Sequence, residues 1–446
     1  METVDEFKQV QSVTKRRVFY IPGYDPIHPR RYRELFRKEG ADQAKISGYN
    51  FDLEAKKEGG AYGWHASTDI DGQHTDAQVD VLIWSDIVRA SMSNSIPATY
   101  MQLLRTAYAY ITTGALFRLM RLRKGPIIAA LYPIGMLLVQ LFLAVVAGAI
   151  LSGLVLWGLT AMFGGLLNLT AQVPLLEALG NRLSLEFWSA FFLLIFGIGL
   201  ILRAVIWIGV AVYILRWFKK NDGKFFAYYL MHDFAYSARW MGANPPALED
   251  RMAEFGDVIA AALHDDVDEV LVVGHSSGAH LAVSILADLI RAGRVPETGP
   301  KLAFLSLGQV VPMVSFLPKA DRLRRDLHDL SASDALIWVD VTAPGDGCAF
   351  ALCDPVSVSG VEPAGKKWPL VFSAAFTQTL SPERWRELRW RFFRLHFQYL
   401  CAFDRPNDYD YFQITAGPVT LYDRYHDRKQ SWTRIDVAAS GYTSMS

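Results

Sequence analysis

No charged side chain occurs between Pro126 and Leu176, and this long uncharged stretch limits the possible folds of the chain more than any other feature. The segment from about Leu131 to Phe163 is long enough to cross a bilayer, for which about 20 apolar residues suffice. A second apolar segment, Phe187 to Trp217, is interrupted in its interior only by the charge of Arg203. Core helices of soluble proteins seldom reach such lengths without charges. We therefore predict two transmembrane helices, with small residues for close packing at Ala144, Gly148 and Ser152.

Basic residues flank the two predicted spans but are scarce between them. The flanking set is Arg118, Arg121, Arg123, Lys124, Arg216, Lys219, Lys220 and Lys224, whereas the connecting loop has only Arg182. Because positively charged flanks stay in the cytoplasm, we expect both flanks and both termini on that side. A basic, tyrosine-containing helical pattern from about Pro97 suits the headgroup layer of a membrane, and packing on a soluble domain is the alternative.

A strand, a turn and a helix follow one another in the second half of the chain. Val270-Leu271-Val272-Val273 has the composition of a strand buried in a parallel sheet, and it ends in Gly274-His275-Ser276-Ser277-Gly278. An apolar helical pattern, Ala279 to Arg291, comes next. A serine on such a tight turn needs neighbours without side chains two residues away, and Gly274 and Gly278 meet that need. The turn exposes the Ser276 hydroxyl and directs the Ser277 amide toward a developing oxyanion.

This strand, Gly-x-Ser-x-Gly turn and helix resemble the nucleophile elbow of the α/β-hydrolase superfamily, most closely its lipase-like and esterase-like members. The resemblance covers about Arg17 to Lys45 and Asn244 to Tyr399. It implies an α/β fold with a mostly parallel sheet, helices on both faces, and a transmembrane helical hairpin as an insertion. Strands expected at Val18–Ile21 and Val79–Ser85 must join the elbow strand in one sheet, so the number of membrane crossings must be even.

The resemblance also implies a catalytic acid and a histidine that follow Ser276 in the chain. Asp346 lies on a Pro/Gly loop after a strand expected at Leu336–Val341, and Asp354 is the rival acid. His396 is the first histidine after the last expected strand, Trp368–Phe372, and His426 is the rival base. We predict a Ser276–His396–Asp346 triad.

A second oxyanion donor is expected near the start of the chain. Val18–Ile21 stops at Pro22-Gly23-Tyr24, and a helix is expected from Pro29 to about Lys45. By the resemblance, the amide of Tyr24 would join that of Ser277 in the oxyanion hole. The alternative is an ordinary turn at the end of a strand.

Composition narrows the function classes. Lys plus Arg and Asp plus Glu number 45 each, so no net charge favours nucleic acid as a partner. Three cysteines are too few for a disulfide framework and indicate a reducing compartment. The proposed chemistry requires neither cofactor nor metal.

Four regions and one activity follow from these patterns. We expect residues 1–95 and 226–430 to form the two parts of a hydrolase domain, residues 96–225 an interfacial helix and the hairpin, and residues 431–446 a loosely ordered polar tail. The expected activity is hydrolysis of hydrophobic carboxylic esters at the lipid bilayer, with thioesters or amides as alternative substrates. An inactive hydrolase-fold scaffold that binds partners is the alternative from another class, and an oligomeric channel is a third.

Overall fold

A computed structural model describes residues 12–57, 59–92, 95–170, 172 and 185–446. Its centre is an eight-stranded, mostly parallel sheet with the strand order β2-β3-β4-β1-β5-β6-β7-β8. The strands are β1 Lys15–Ile21, β2 Asn50–Ala55, β3 Gly63–Ile70, β4 Gln73–Val81, β5 Glu269–His275, β6 Lys301–Leu307, β7 Ile337–Thr342 and β8 Leu370–Ser373.

The register of the sheet places several chain segments at one edge. β1 pairs in parallel with β4 and β5, and β5, β6, β7 and β8 pair in parallel in that order. Only β2–β3 and β3–β4 are antiparallel among the described strand pairs. Because parallel strands end at a common edge, the loops after β1, β5, β6 and β7 meet there.

Helices account for most of the remaining described residues. They are α1 Arg30–Ser47, α2 Ser85–Ser91, α3 Ile96–Thr112, α4 Ala115–Leu122, α5 Lys124–Thr170, α6 Leu185–Lys220, α7 Asp222–Phe225, α8 Ala227–Arg239, α9 Pro246–Ala262, α10 Gly278–Arg291, α11 Val311–Ser315, α12 Asp321–Ala332, α13 Pro355–Val358, α14 Phe376–Thr379, α15 Pro382–Leu388, α16 Phe392–His396, α17 Tyr411–Ala416 and α18 Leu421–Tyr425.

Both faces of the sheet are covered. Leu271 and Val273 of β5 join an apolar cluster that includes residues of α1 and α17. The alternate residues Val270 and Val272 join a second cluster that includes residues of α9, α10 and α12. Successive strand residues point to opposite faces, which explains why the unbroken apolar run of β5 is buried along its whole length.

The chain divides into two compact units. One comprises the described parts of Met1–Ser93, Gln102–Ala130 and His232–Ser446, and the other the described parts of Asn94–Met101 and Leu131–Met231. The first unit contains the sheet. This unit also contains α4 and the end of α3, which belong to the predicted interfacial region. They bury Tyr110 and Leu119 in an apolar cluster, whereas Tyr108 and Phe117 are exposed.

The second unit contains two helices that are long and apolar enough to cross a membrane, judged by length and composition alone. Their packing depends on a small residue: a Cβ at Gly148 would lie 2.4 Å from Cδ1 of Trp207. The Trp207 indole N–H donates to the carbonyl of Val145 at 2.9 Å. Ala144 and Ser152, one turn to either side of Gly148, are also buried.

Several boundaries differ from those expected. The strand expected at Val79–Ser85 ends at Val81, and Ser85 begins α2. The polar region before it forms the antiparallel strands β2 and β3; β2 has no buried residue, whereas most residues of β3 are buried. The short helices α14, α15 and α16 follow β8, and His396 ends α16.

The tail from Ser431 is held by the rest of the unit rather than loosely ordered. Ile435 donates its N–H to the carbonyl of Leu352 at 2.7 Å. The buried guanidinium of Arg324 donates to the carbonyl of Ser444 at 2.6 Å. The polar composition of the tail did not indicate this order, because most of these contacts use backbone N–H and C=O groups of the tail, which any residue type provides.

Candidate active site

Ser276 occupies a sharp turn between β5 and α10. Its φ of 57° is a left-handed value that is costly for a residue with a side chain, typically about 1–3 kcal/mol. A Cβ at Gly278 would lie 2.1 Å from the carbonyl oxygen of Ile21, and one at Gly274 would lie 2.7 Å from Cα of Ala279. Both glycines are therefore required by close backbone contacts. Ser277 is the N-cap residue of α10.

The loop after β1 lies against this turn. A Cβ at Gly23 would lie 3.0 Å from Cβ and 3.4 Å from Oγ of Ser276. The next residue, Tyr24, is buried, and its ring packs against Trp84 and Tyr236 with centroid distances of 6.0 and 5.6 Å. The Tyr24 hydroxyl lies 2.6 Å from Oγ of Ser91. These contacts hold the backbone of residues 23–24 next to Ser276.

Asp346 and His396 form a buried pair. His396 Nδ1 lies 2.7 Å from Asp346 Oδ2. The same carboxylate oxygen accepts a hydrogen bond from the Tyr399 hydroxyl at 3.0 Å. The other oxygen, Oδ1, accepts from the backbone N–H of Cys348 at 2.9 Å. Three donors thus orient the Asp346 carboxylate toward the imidazole.

The surroundings of Asp346 favour its charged form. Burial by itself raises its pKa, but the charge of His396 and the hydrogen bonds from His396, Cys348 and Tyr399 outweigh burial and lower the pKa below its ordinary value. Hydrogen bonds to a carboxylate stabilise the ionised state. An ionised acid next to Nδ1 holds the proton on that nitrogen, which leaves Nε2 of His396 as the basic atom.

Contacts on two strand ends place His396 next to the serine turn. Ser276 donates its backbone N–H to the carbonyl of Leu307 at 2.9 Å. A Cβ at the following residue, Gly308, would lie 3.1 Å from Cε1 of His396. Ser276 and His396 therefore contact consecutive residues at the end of β6. Among the described residues, no hydrogen bond joins the Ser276 hydroxyl to His396.

His275 contacts both the ring and the backbone carbonyl of His396. The two imidazole rings are 4.9 Å apart, and His275 Nε2 lies 3.0 Å from the carbonyl oxygen of His396. Burial, with a smaller effect from the charge of His396, lowers the pKa of His275 to about 3. His275 is therefore neutral at pH 7 and donates its Nε2–H to that carbonyl. The sequence pattern around Ser276 did not reveal this contact.

The two rival residues have other partners. Asp354 caps α13 through hydrogen bonds from the N–H groups of Val356 and Ser357, and its carboxylate binds Lys366 at 2.5 Å. His426 lies on the surface, with Nδ1 at 3.2 Å from the carbonyl of Asp423. Neither contacts Ser276 in the described part of the chain.

Asp233 of α8 is a further acid near the pair. It lies within electrostatic range of His396, Tyr24 and Cys348. Burial raises the pKa of Asp233 to about 7, against the opposing effect of the His396 charge. Sequence analysis did not select Asp233, although a single acid in the aromatic segment Phe225 to Trp240 was the available signal.

Asp346, Cys348 and His396 also bring three kinds of metal ligand together, with ligand atoms within 4.8 Å of one another. The carboxylate and Nδ1 of the imidazole are already bonded to each other. Burial, followed by the charges of Asp346 and Asp233, raises the pKa of the Cys348 thiol well above its usual range. A neutral thiol is a poor metal ligand, so the cluster fits a hydrogen-bonded acid–base pair better than a metal centre.

Comparisons with protein-family models, curated proteins and solved structures found no match to the chain.

Proposed function

We propose that this chain is a membrane-anchored serine hydrolase that cleaves carboxylic esters of hydrophobic acyl groups. The observation that carries the proposal is the buried His396–Asp346 pair at the same sheet edge as Ser276, which sits on a turn of positive φ. A strained serine next to an oriented imidazole is the arrangement that nucleophilic acyl transfer needs.

In the proposed reaction, Ser276 Oγ attacks the ester carbonyl and His396 Nε2 accepts the hydroxyl proton. The C–O bond to the leaving alcohol breaks as His396 returns that proton to the alcohol oxygen, which leaves an acyl-serine. Water then attacks the acyl-serine, again with His396 as base, and releases the carboxylic acid and free Ser276. Asp346 remains ionised throughout and stabilises the imidazolium.

The backbone amides of Ser277 and Tyr24 are the proposed oxyanion donors. Ser277 supports this role because it is the N-cap residue of α10, and N–H groups at a helix start favour negative charge. Tyr24 supports it because Gly23 approaches the Ser276 side chain closely. In comparable sites, loss of one donor lowers kcat by about 10²–10³-fold.

Lipid esters are the proposed substrate class because α5 and α6 have the length and composition of membrane spans. In this proposal the hairpin holds the catalytic unit at the bilayer, and the basic flanks place that unit and both termini on the cytoplasmic side. Exposed apolar side chains of α3 and α4 add to the case, since Leu104, Tyr108 and Phe117 are 62%, 68% and 54% exposed.

Labelling with a serine-directed fluorophosphonate tests the proposal. Full-length protein in detergent or vesicles should be labelled, Ser276→Ala should not, and Ser284→Ala, which changes a serine on the following helix, should be labelled like the wild type. If folded wild-type protein resists labelling and hydrolyses no ester, the alternative of an inactive scaffold replaces the enzyme.

A further inference from the structure

Residues 384–394, which we call the basic–aromatic segment, read Arg-Trp-Arg-Glu-Leu-Arg-Trp-Arg-Phe-Phe-Arg. The segment comprises most of α15, the connection to α16 and the beginning of α16. Trp390 is 72% exposed and Phe392 is 46% exposed. Burial of a large apolar side chain is favourable, so two such rings at one surface point favour an apolar partner.

Buried side chains and ring contacts hold the segment against the rest of the unit. Leu388 and Leu395 are fully buried in the core at either side of the exposed rings. The Trp385 ring lies against Gly345, where a Cβ would approach Cη2 to 2.7 Å, and the Phe392 ring lies against Gly347, where a Cβ would approach Cδ1 to 3.1 Å. These contacts fix the direction in which Trp390 and Phe392 are presented.

Basic side chains outnumber acidic ones around the two rings. Glu387 pairs with Arg384 at 3.0 Å and with Arg391 at 3.3 Å. Arg386 pairs with Glu383 at 3.1 Å. Arg389 and Arg394 are exposed and have no ion-pair partner among the described residues.

The guanidinium of Arg389 lies 5.6 Å from the ring centroid of Trp390. A tryptophan with an adjacent arginine is suited to the layer where lipid headgroups meet acyl chains. A guanidinium can bind phosphate oxygens through two hydrogen bonds, and basic residues near an anionic membrane are attracted to it. An anionic lipid bilayer has an apolar interior and a negatively charged surface. Exposed aromatic rings beside guanidinium groups that lack an ion-pair partner complement both parts of such a bilayer.

We propose that the basic–aromatic segment docks on an anionic phospholipid surface, with Trp390 and Phe392 inserted at headgroup depth and Arg389 and Arg394 bound to lipid phosphates. This membrane contact is additional to the two apolar helices and does not depend on catalysis. Its consequence for substrate supply does rest on the proposed function: the segment ends two residues before His396 and packs on both glycines that flank Asp346, so docked lipid lies next to the candidate acid–base pair.

Fluorescence of a label at position 390 tests the proposal. Trp390→Cys in the full-length protein is labelled with a polarity-sensitive dye and reconstituted into vesicles that carry nitroxide-labelled lipids. Trp432→Cys is the matched control, since Trp432 is a tryptophan with 94% exposure in a different part of the unit. Unsubstituted protein gives the background, because Cys353 and Cys401 are buried and Cys348 is partly buried.

In vesicles that contain phosphatidylglycerol, we expect lipid nitroxides to quench the label at position 390 several-fold more than the label at position 432. The quenching should fall in pure phosphatidylcholine, at high salt, and with the additional changes Arg389→Gln and Arg394→Gln. Equal quenching in both lipids would overturn the anionic selectivity. A label that stays unquenched in every vesicle would overturn the docking site and leave a protein or nucleic-acid partner as the occupant. Fluorophosphonate labelling of Ser276 in the same samples shows separately whether the hydrolase proposal holds.

Discussion

Asp346 and His396 lie 50 residues apart in the chain, yet Oδ2 of the acid and Nδ1 of the imidazole are 2.7 Å apart in the core. The acid follows β7, and the histidine ends α16. The pair is therefore formed by tertiary structure, which brings the loop after β7 and the segment after β8 to one sheet edge. The buried Asp346 carboxylate accepts hydrogen bonds from an imidazole, a tyrosine hydroxyl and a backbone amide. Together these bonds fix the orientation of the carboxylate, and the carboxylate in turn orients the imidazole.

If the proposed mechanism holds, replacement of Asp346 by Asn should abolish most of the proposed esterase activity. The amide cannot stabilise an imidazolium and favours the wrong tautomer of His396, so we expect kcat to fall by about 10⁴-fold. Hydrolysis of a soluble short-chain ester measures the effect without the contribution of lipid binding. Asp354→Asn is the control, because Asp354 caps α13 and binds Lys366; it should lower the melting temperature and leave kcat nearly unchanged. Equal losses of kcat in both variants would contradict the assignment of Asp346.

His396→Ala removes the proposed general base. Such a loss usually costs about 10²–10⁴-fold in rate, and the fluorophosphonate reaction of Ser276 should slow with it. His426→Ala changes the rival histidine, whose side chain is 38% exposed and lies beside Asp427. We expect that variant to keep wild-type activity. If His426→Ala lost activity and His396→Ala kept it, the two assignments would have to be exchanged.

The glycine at the elbow can be tested through stability. A methyl group at Gly278 would meet the Ile21 carbonyl oxygen at 2.1 Å, so β1 or α10 must move. Overpacking of this kind costs about 1–3 kcal/mol, and Gly278→Ala should lower the melting temperature as well as the activity. Gly365→Ala is the matched change, since a Cβ there meets nothing within 4 Å. A wild-type melting temperature for Gly278→Ala would show that the turn is not as tightly packed as the structure indicates.

Local patterns predicted the centre of the fold well. The apolar run of β5 and the spacing of Gly274 and Gly278 around Ser276 depend on neighbours in the chain, and these were apparent in the sequence. The charge-free stretch likewise predicted a helix long enough to cross a bilayer, because helix length depends on local composition. The mostly parallel sheet was expected from the resemblance of the strand, Gly-x-Ser-x-Gly turn and helix to the α/β-hydrolase superfamily, and the structure has such a sheet.

Features that depend on distant contacts were not predictable in the same way. β2 is an edge strand without a buried residue and β3 pairs with it, so the polar composition of this part of the chain concealed both strands. No motif revealed the contacts of Tyr399 and His275, which form only when the segment after β8 reaches the ends of β5 and β7. Tyr399 could have been noticed only as the tyrosine that follows His396 by three residues.

Asp340 should make the stability of the protein depend on pH in an unusual direction. It is buried on β7, its Oδ1 accepts a hydrogen bond from Ser306 at 2.5 Å, and its Oδ2 has no hydrogen-bond partner. Burial, aided by the charge of Asp354 and opposed by hydrogen bonds from Ser306 and Gln309, raises the pKa of Asp340 from 3.8 to about 8. The folded state therefore binds this proton more tightly than the unfolded state, and the free energy of unfolding should decrease as the pH rises from about 4 to about 8.

Asp340→Asn does not titrate, so its unfolding free energy should fall less than that of the wild type between about pH 5 and pH 8, by a difference on the order of a few kcal/mol. Chemical denaturation at both pH values measures this difference, and Asp334→Asn, which changes an exposed acid paired with Lys367, should follow the wild type. Parallel pH profiles for the wild type and Asp340→Asn would show that the Asp340 carboxyl is ionised in the folded protein.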